Sequence, residues 1–205
     1  MSAGSAGLER AWRQSPTLDD DPVRLEPLSM DHVDALVRAA SDGELWRLWY
    51  TTVPTPEGAA AYVDAALAMR DAGTAMPFVV RDAEGEVVGS TRYCHMDATN
   101  RRLEIGYTWY AKRVWATALN PAAKRLLLAH AFEQMGCIAV EFRTHWHNHR
   151  SRAAIARLGA KQDGVLRNHM ILPDGSRRDT VVFSILDSEW PAVRRGLDAR
   201  LELGS

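Results

Sequence analysis

The chain has 205 residues, of which 46% are hydrophobic and 25% are charged, and its formal net charge is −1. This length is sufficient for a single domain with a substantial core, and the balanced charge argues against general binding to nucleic acid or anionic membranes. No apolar run approaches the roughly 20 residues of a membrane-spanning helix, and two cysteines are too few for a disulfide framework, so a cytoplasmic protein is expected.

The N-terminal part is expected to contain more helix than strand. Residues 1–21 are predicted to be a disordered or loosely docked segment, although Trp12 could pack against the remainder, and residues 22–205 are predicted to form one domain. Within this domain a strand at 23–28 comes first. Three helices are expected to follow, at residues 29–40, 44–50 and 55–72.

From residue 76 the sequence indicates strands interrupted by helices. The predicted strands lie at 76–81, 87–95, 102–110, 137–144, 165–172 and 180–186, and the predicted helices at 119–135, 148–159 and 188–203. The turn sequences at 82–86 and 173–175 make two of the strand pairs antiparallel hairpins. This order predicts an α/β (α+β) three-layer domain, with a mixed, mostly antiparallel sheet and helices on both faces.

The turn at residues 112–118 has the clearest chemical character. It contains the cations Lys112 and Arg113 and several small residues. Asn120 can lie near the N-cap of the following helix, with Pro121 just inside, so unpaired backbone N–H groups and the helix dipole would face the turn. Such a site suits a phosphate, although a basic surface turn before a helix is the alternative.

The sequence Arg113-Val-Trp-Ala116-Thr-Ala118 resembles the Q/R-x-x-G-x-G/A signature of the acyl-CoA site in the GCN5-related N-acetyltransferase (GNAT) family, with Ala116 where the family usually has Gly. Asn148-His-Arg-Ser151, followed by Leu158-Gly159-Ala160, resembles the family's N-x-x-S/A … LG(F/A) element, most closely in the RimJ/RimL-like branch. The resemblance extends over roughly residues 22–187. It implies the same order of elements, with a splay beside the central strand that takes the pantetheine arm.

The resemblance implies acetyl-CoA as the cofactor, held mainly by the turn. The predicted cofactor-binding residues are Tyr107, Arg113, Val114, Trp115, Ala116, Thr117, Ala118, Asn120, Lys124 and Asn148. Lys124 is included for its charge, and a solvated position on an exposed helix face is the alternative for it. Small residues in the turn would let the pyrophosphate approach the backbone N–H groups closely. If position 116 requires a positive φ, however, alanine is less favourable there than glycine.

Two residues are candidates for proton transfer. Glu104 lies on the central strand, where the family often has a general base; the alternative is a salt-bridged strand residue, paired with Arg102 or Arg92. Ser151 is where the RimJ/RimL-like branch has a serine that protonates the departing thiolate. A helix cap is the alternative for Ser151.

Aromatic and histidine residues are expected to line the acceptor site. The family builds this site from the segment at 44–50 and the last hairpin, and the histidines are expected in the loop beyond a strand, at the mouth of the pocket. The predicted residues are Trp46, Trp49, Tyr50, His145 and His147. The aromatic residues could instead belong to the core. Alternating histidines could bind zinc, but no Cys pair or H-E-x-x-H accompanies them, and no metal is expected. Arg177, Arg178 and Asp179 could bind a substrate carboxylate or remain solvated.

These features predict an acetyl-CoA-dependent N-acetyltransferase in which a primary amine attacks the thioester directly, in a ternary complex. The acceptor would be a protein N-terminus or a small amine. The alternative is a non-catalytic acyl-CoA-binding or interaction domain, motivated by the alanine at position 116 and by the absence of the tyrosine acid that other branches use. Neither nucleic acid nor membrane is an expected partner, and the family admits a homodimer.

Overall fold

A computed structural model describes residues 3–203 of the chain. The helices are α1 (Ala3–Ala11), α2 (Val33–Ser41), α3 (Ala59–Asp71), α4 (Leu119–Ala129), α5 (His149–Arg157) and α6 (Trp190–Leu203). The strands are β1 (Leu18–Asp20), β2 (Val23–Pro27), β3 (Met76–Arg81), β4 (Val87–Asp97), β5 (Arg102–Tyr110), β6 (Ala139–His145), β7 (Lys161–Ile171) and β8 (Arg177–Leu186). None of the helices described combines the length and apolar character that crossing a bilayer requires.

The strands form one sheet in the order β1-β2-β3-β4-β5-β6-β8-β7. Neighbouring strands are antiparallel except β5 and β6, which are parallel. Pairing of β5 with β6 is limited to Arg102–Glu104 opposite Ala139–Glu141, although β5 continues to Tyr110 and β6 to His145. The two strands therefore separate beyond Glu104, which opens a cleft. The mixed sheet confirms the predicted fold class.

Helices cover the sheet on both faces. On one face, the Tyr93 hydroxyl on β4 donates a hydrogen bond to the Leu127 carbonyl oxygen on α4 at 2.7 Å. On the other face, the Trp109 indole N–H on β5 donates to the Tyr62 hydroxyl on α3 at 3.3 Å. The largest fully buried side chains are Tyr93, Phe78, Phe142, Leu25, Leu28, Leu36, Leu45, Leu127, Leu128, Met135, Ile185 and Leu197. The arrangement is the predicted three-layer domain.

The first 21 residues contain more regular structure than expected, since α1 and β1 lie within them and β1 pairs with β2. The Trp12 indole N–H donates to the Met135 carbonyl oxygen at 2.8 Å, as the predicted docking of Trp12 requires. Arg125 Nη1 on α4 lies 2.9 Å from Asp20 Oδ2. These contacts attach the segment to α4 and to the turn that follows it. They join residues more than 100 positions apart, so no local sequence pattern predicts them.

Two predicted helices differ in extent. The one expected at 44–50 is a single 3₁₀ turn, Leu45–Arg47, because the residue before it has a left-handed φ of 47° and the residue after it is extended. The one expected at 119–135 is α-helical only to Ala129 and finishes as a π-helical turn, His130–Gln134. The strands of the last hairpin are longer than predicted.

Candidate active site

The cleft lies beside a β-bulge in β5. The register of β4 against β5 shifts between Ser90, opposite Trp109, and Arg92, opposite Gly106, so β5 contains an extra residue there. In this stretch Tyr107 has a φ of 52° and is 43% exposed. The Arg92 guanidinium lies 3.9 Å from the centroid of the Tyr107 ring. The bulge interrupts regular pairing and orients a predicted cofactor-binding tyrosine towards solvent.

The loop before α4 presents unpaired backbone donors. Within the part of the chain that the structure describes, the N–H groups of Ala116, Thr117, Ala118 and Asn120 form no hydrogen bond. Ala118 is the N-cap of α4, two residues earlier than the predicted Asn120, so these donors lie at the positive end of the helix dipole. Ala116 has a φ of 64°, the conformation in which alanine is strained. The loop geometry suits a phosphate.

Two acidic residues from distant segments hold this loop. The Arg113 backbone N–H donates to Asp42 Oδ2 at 2.8 Å, and Arg113 Nη2 lies 2.6 Å from Asp82 Oδ2. The Thr117 hydroxyl donates to the Val114 carbonyl oxygen at 2.8 Å, and Val114 packs against the core. The Arg113 guanidinium, predicted to bind the cofactor, is therefore already paired with a carboxylate. The side chains of Arg113 and Val114 shape the loop, and its backbone is left to contact a ligand.

Trp115 connects the loop to the start of α5. Its indole N–H donates to the Tyr110 carbonyl oxygen at 2.7 Å, and Arg150 Cζ lies 3.5 Å from the centroid of its ring. Burial lowers the pKa of Arg150, and none of the described carboxylates forms an ion pair with it. Arg150 is not among the predicted site residues, although it lies within the N-x-x-S motif. It places a cation beside the loop.

Lys124 was predicted to bind the cofactor but lies inside the protein, with 5% of its surface exposed. Its Nζ atom donates to Thr108 Oγ1 at 2.7 Å, and Thr108 Oγ1 is 2.7 Å from Thr91 Oγ1. Burial lowers the pKa of Lys124 to about 7. The prediction that Lys124 reaches a phosphate is therefore wrong, because α4 packs this side chain against the sheet.

At the start of α5, Asn148 rather than Ser151 supplies the side chain that caps the helix. Asn148 is the N-cap, and its Oδ1 atom accepts a hydrogen bond from the Ser151 backbone N–H at 3.0 Å. The Ser151 hydroxyl forms no hydrogen bond with the residues that the structure describes, and its side chain is partly buried. The Asn148 side-chain amide N–H groups also have no partner there. Both groups are available to a ligand.

Glu104 lies where β5 and β6 separate and is only 6% exposed. Its Oε2 atom is 2.9 Å from His95 Nδ1 and 3.5 Å from Arg143 Nε. Burial raises the pKa of Glu104, and the hydrogen bond and charge of His95 and the charge of Arg143 oppose that rise. A Cβ atom on Gly106 would lie 2.8 Å from Glu104 Oε1 and 3.0 Å from Cys94 Sγ, so glycine leaves room for the carboxyl. A buried carboxyl with a raised pKa suits a general base.

The charged neighbours of Glu104 differ from those expected. Arg102 pairs with Glu141 rather than with Glu104, and Arg143 Nη2 lies 2.9 Å from Glu141 Oε2. His95 and Arg143 were not predicted. The strand register indicates both residues. His95 is next to the residue opposite Glu104 in the antiparallel pair of β4 and β5. Arg143 is two residues after Glu141, which is opposite Glu104, so its side chain lies on the same face of the sheet.

Cys94, His95 and Glu104 present ligand atoms within 4.8 Å of one another. Burial raises the pKa of the Cys94 thiol, and a thiol must lose its proton before it binds a metal. Glu104 is also hydrogen-bonded to His95. The protonated thiol and the hydrogen-bonded Glu104 do not favour a metal centre at this group of residues.

A cluster of rings lies near the end of β6. Trp49 is 57% exposed, and the centroid of its ring is 4.9 Å from that of His145, 5.6 Å from that of Tyr50 and 5.9 Å from that of His147. Burial lowers the pKa of His145, which favours the neutral ring. The structure thus brings together four of the five predicted acceptor residues. Trp46 instead packs against the core.

Comparison with known proteins assigns this architecture to a family. Residues 23–161 match the family model described as "Acetyltransferase (GNAT) domain". The chain belongs to the GNAT family. The structure of a GCN5-related N-acetyltransferase from Brucella melitensis is 32% identical, has a TM-score of 0.83, and aligns over 92% of this chain and 86% of that one. The predicted family and three-layer fold are confirmed.

Two further proteins are similar to this chain. YdaF of Bacillus subtilis (strain 168), provisionally named a ribosomal N-acetyltransferase, is 33% identical over 107 residues, which are 52% of this chain and 57% of YdaF. Mycobacterium smegmatis RimJ, in complex with CoA-disulfide, has a TM-score of 0.77 over 93% of this chain and 96% of RimJ. At 24% identity, the likeness to RimJ shows a shared fold. GNAT enzymes use acetyl-CoA, so the predicted enzyme class and cofactor are confirmed.

Proposed function

We propose that this GNAT protein acetylates a primary amine by direct attack on acetyl-CoA, with Glu104 as the general base and Ser151 as the acid. The observation that carries the proposal is the position of Glu104, a buried carboxylate at the point where β5 and β6 separate. The loop of unpaired N–H groups follows the end of β5, and the free Ser151 hydroxyl follows the end of β6. The two strands that diverge at the base thus lead to the cofactor loop and to the acid.

The residues present suit acetyl-CoA, which when bound would supply the acetyl group as a thioester. The N–H groups of residues 116–118 and the start of α4 suit the pyrophosphate. Beyond Glu104, the facing edges of β5 and β6 do not pair with each other, so their backbone groups can bind an extended chain that contains amides. The free amide N–H groups of Asn148 are further donors at that cleft.

Glu104 would accept the proton that the amine must lose. An α-amine with a pKa of about 8, or a lysine amine near 10.4, is mostly protonated at neutral pH and cannot attack in that form. Because burial raises the pKa of Glu104, its carboxylate is a stronger base than one on the surface. The His95 side chain is 63% exposed and contacts Glu104, so it offers the proton a route to solvent.

Ser151 would supply a proton at its Oγ atom. A thiolate, with a pKa of about 8.5, is a good leaving group and requires only a weak acid. Because Asn148 caps α5, the Ser151 hydroxyl is not needed for the helix.

We propose a protein N-terminus as the acceptor class, with small amines as the alternative. The name of YdaF supports an amine on a ribosomal protein, and an N-terminus is one such amine. The exposed ring of Trp49, with Tyr50 beside it, offers an aromatic surface suited to the apolar parts of a peptide. Neither nucleic acids nor membranes are predicted as partners.

Release of the coenzyme A thiol in the presence of amines tests this function. The panel contains peptides with free N-termini, the same peptides with blocked N-termini, and small amines, with mass spectrometry of the products. We expect turnover with free amines and none with blocked peptides. If acetyl-CoA binds but no amine is acetylated, the non-catalytic acyl-CoA-binding alternative is the correct one.

We also propose a homodimer formed through the last hairpin. β7 is an edge strand, and Ile171 and Met170 on it are 78% and 46% exposed. Proteins usually cover an exposed edge that carries apolar residues. Analytical ultracentrifugation of the wild type and of Ile171→Glu should show a dimer that the substitution dissociates.

A cytoplasmic location stays a prediction, in keeping with Cys94 and Cys137, which are free and buried.

A further inference from the structure

The polar face that carries Glu104 continues across β6 and β8. Arg143 and His145 follow the residue opposite Glu104 at two-residue intervals, so their side chains share its face. His145 is opposite Thr180 on β8, and Arg178 precedes Thr180 by two residues. A row of polar side chains therefore connects the candidate base to the last hairpin.

The three charged residues at the start of β8 have different surroundings. Arg177 is exposed, and Asp179 Oδ2 lies 2.6 Å from Arg167 Nε. Arg178 is partly buried, and its Nε atom donates to Thr180 Oγ1 at 3.0 Å. No carboxylate among the described residues contacts the Arg178 guanidinium. Of the three, Arg178 is the partly buried charge that lacks an opposite charge.

The Arg178 guanidinium lies on the cleft side of β8. By strand register its side chain shares the face of the sheet that carries Thr180, His145 and Glu104, and burial lowers its pKa. His169 Nδ1 is 3.1 Å from the same Thr180 hydroxyl that Arg178 contacts. A partly buried cation without a counter-charge is destabilising, and an anion in the cleft would relieve that cost.

The other arginine of this face is already neutralised. Arg143 lies 3.5 Å from Glu104 Oε2 and 2.9 Å from Glu141 Oε2. Arg178 therefore has the unused binding capacity in the cleft, and a guanidinium matches a carboxylate through two parallel hydrogen bonds.

We propose that the acceptor carries a carboxylate a few bonds from its reactive amine, and that Arg178 binds this carboxylate while Glu104 faces the amine. This inference rests on the proposed acetyltransfer. The same chemistry has two sources: the α-carboxylate of a free amino acid, and an acidic side chain near a peptide N-terminus. In both, the Trp49 ring and His145 would flank the acceptor beside the arginine.

Steady-state kinetics with matched acceptors test the proposal. One pair is a tripeptide amide that begins with glutamate and its counterpart that begins with glutamine. The other is a free amino acid and its amide, compared above both amine pKa values. The wild type should favour the anionic member of one pair by about tenfold in kcat/KM, mainly through KM. The pair that shows the preference identifies the source.

Variants of neighbouring arginines provide the control. Arg178→Gln should abolish the preference, Arg178→Lys should keep part of it, and Arg177→Gln should keep all of it. Equal kcat/KM values for both members of each pair in the wild type, or a preference that survives in Arg178→Gln, would overturn the proposal.

A separate measurement distinguishes failure of the inference from failure of the proposed function. If no acceptor is acetylated, acetyltransfer fails, and the two tripeptides are titrated into the protein with coenzyme A present. Tighter binding of the glutamate peptide to the wild type than to Arg178→Gln still supports the carboxylate site. Equal binding to both proteins rules it out.

Discussion

His95 Nδ1 lies 2.9 Å from Glu104 Oε2, so a mostly exposed imidazole is bonded to a buried carboxyl group. His95 has a left-handed φ of 48° and lies where the register between β4 and β5 is irregular. A non-glycine residue keeps such a conformation only when its surroundings hold it there. The hydrogen bond and charge of His95 lower the pKa of Glu104 against the effect of burial, so the pH dependence of the reaction should report on this carboxyl group.

Replacing Glu104 with glutamine should lower kcat by about 100-fold or more, because the amide cannot accept a proton from the amine. In the wild type the rate should fall as pH decreases through the raised pKa of Glu104, since the protonated carboxyl is inactive. This fall should occur at the same pH for acceptors of different amine pKa, and it should be absent from Glu104→Gln. Glu84→Gln, at the exposed β3–β4 turn, is the control. Superimposable profiles for Glu104→Gln and wild type would exclude Glu104 as the base.

Replacing His95 with alanine should move the acidic limb of the profile to higher pH. The hydrogen bond and charge of His95 hold the pKa of Glu104 below the value that burial alone would give, so their loss lets that pKa rise. The measurement is the pH dependence of kcat for His95→Ala. A limb that stays in place or moves to lower pH would show that His95 does not stabilise the carboxylate.

Substitution of Asn148 should lower the stability of the protein, whereas substitution of Ser151 should lower its turnover. Asn148→Ala removes the N-cap of α5 and should lower the free energy of unfolding by about 1 kcal/mol, measured by urea denaturation. Ser151→Ala keeps its backbone hydrogen bond to Asn148, so its stability and acetyl-CoA affinity should match the wild type. Its kcat should fall by about tenfold or more. A loss of stability in Ser151→Ala equal to its loss of activity would make this residue structural.

Lys124 should make stability depend on pH. In the folded protein burial lowers its pKa to about 7, whereas in the unfolded chain it keeps its proton up to about 10.4. Between these values the unfolded state binds more protons, so stability should rise with pH, with a slope of at most about 1.4 kcal/mol per pH unit. Lys124→Met should lack this contribution, and its stability advantage over the wild type should shrink from pH 7 to pH 10. Parallel curves would show that Lys124 is charged in the folded state.

Local periodicity predicts much of this fold. The β3–β4 hairpin and α4 follow from alternation and from three- and four-residue spacing, because one face of each element is buried. Features that depend on contacts distant in sequence are not predicted. The attachment of the N-terminal segment through Trp12 and Arg125 is an example.

The sequence predicts the location of the site, but it does not predict the contacts of every side chain in it. Arg113 and Lys124 are cations next to a phosphate-type loop, yet Asp82 pairs with one of them and the sheet buries the other. Residue type and helix position cannot reveal either partner, because both lie far away in sequence. Strand register could have suggested His95, since it depends only on the pairing of β4 with β5.

The central claim, that the backbone of the loop before α4 holds the cofactor, is tested most directly by calorimetric titration of acetyl-CoA. Ala116 is exposed and has a φ of 64°, so Ala116→Gly relieves strain of about 1 kcal/mol and should bind at least as well as the wild type. Ala116→Glu places a carboxylate against the phosphates and should bind at least about tenfold more weakly, while Ala199→Glu on α6 should bind normally. One-site binding that only Ala116→Glu loses is the predicted result. No binding to the wild type, or equal affinity in Ala116→Glu, would contradict the account.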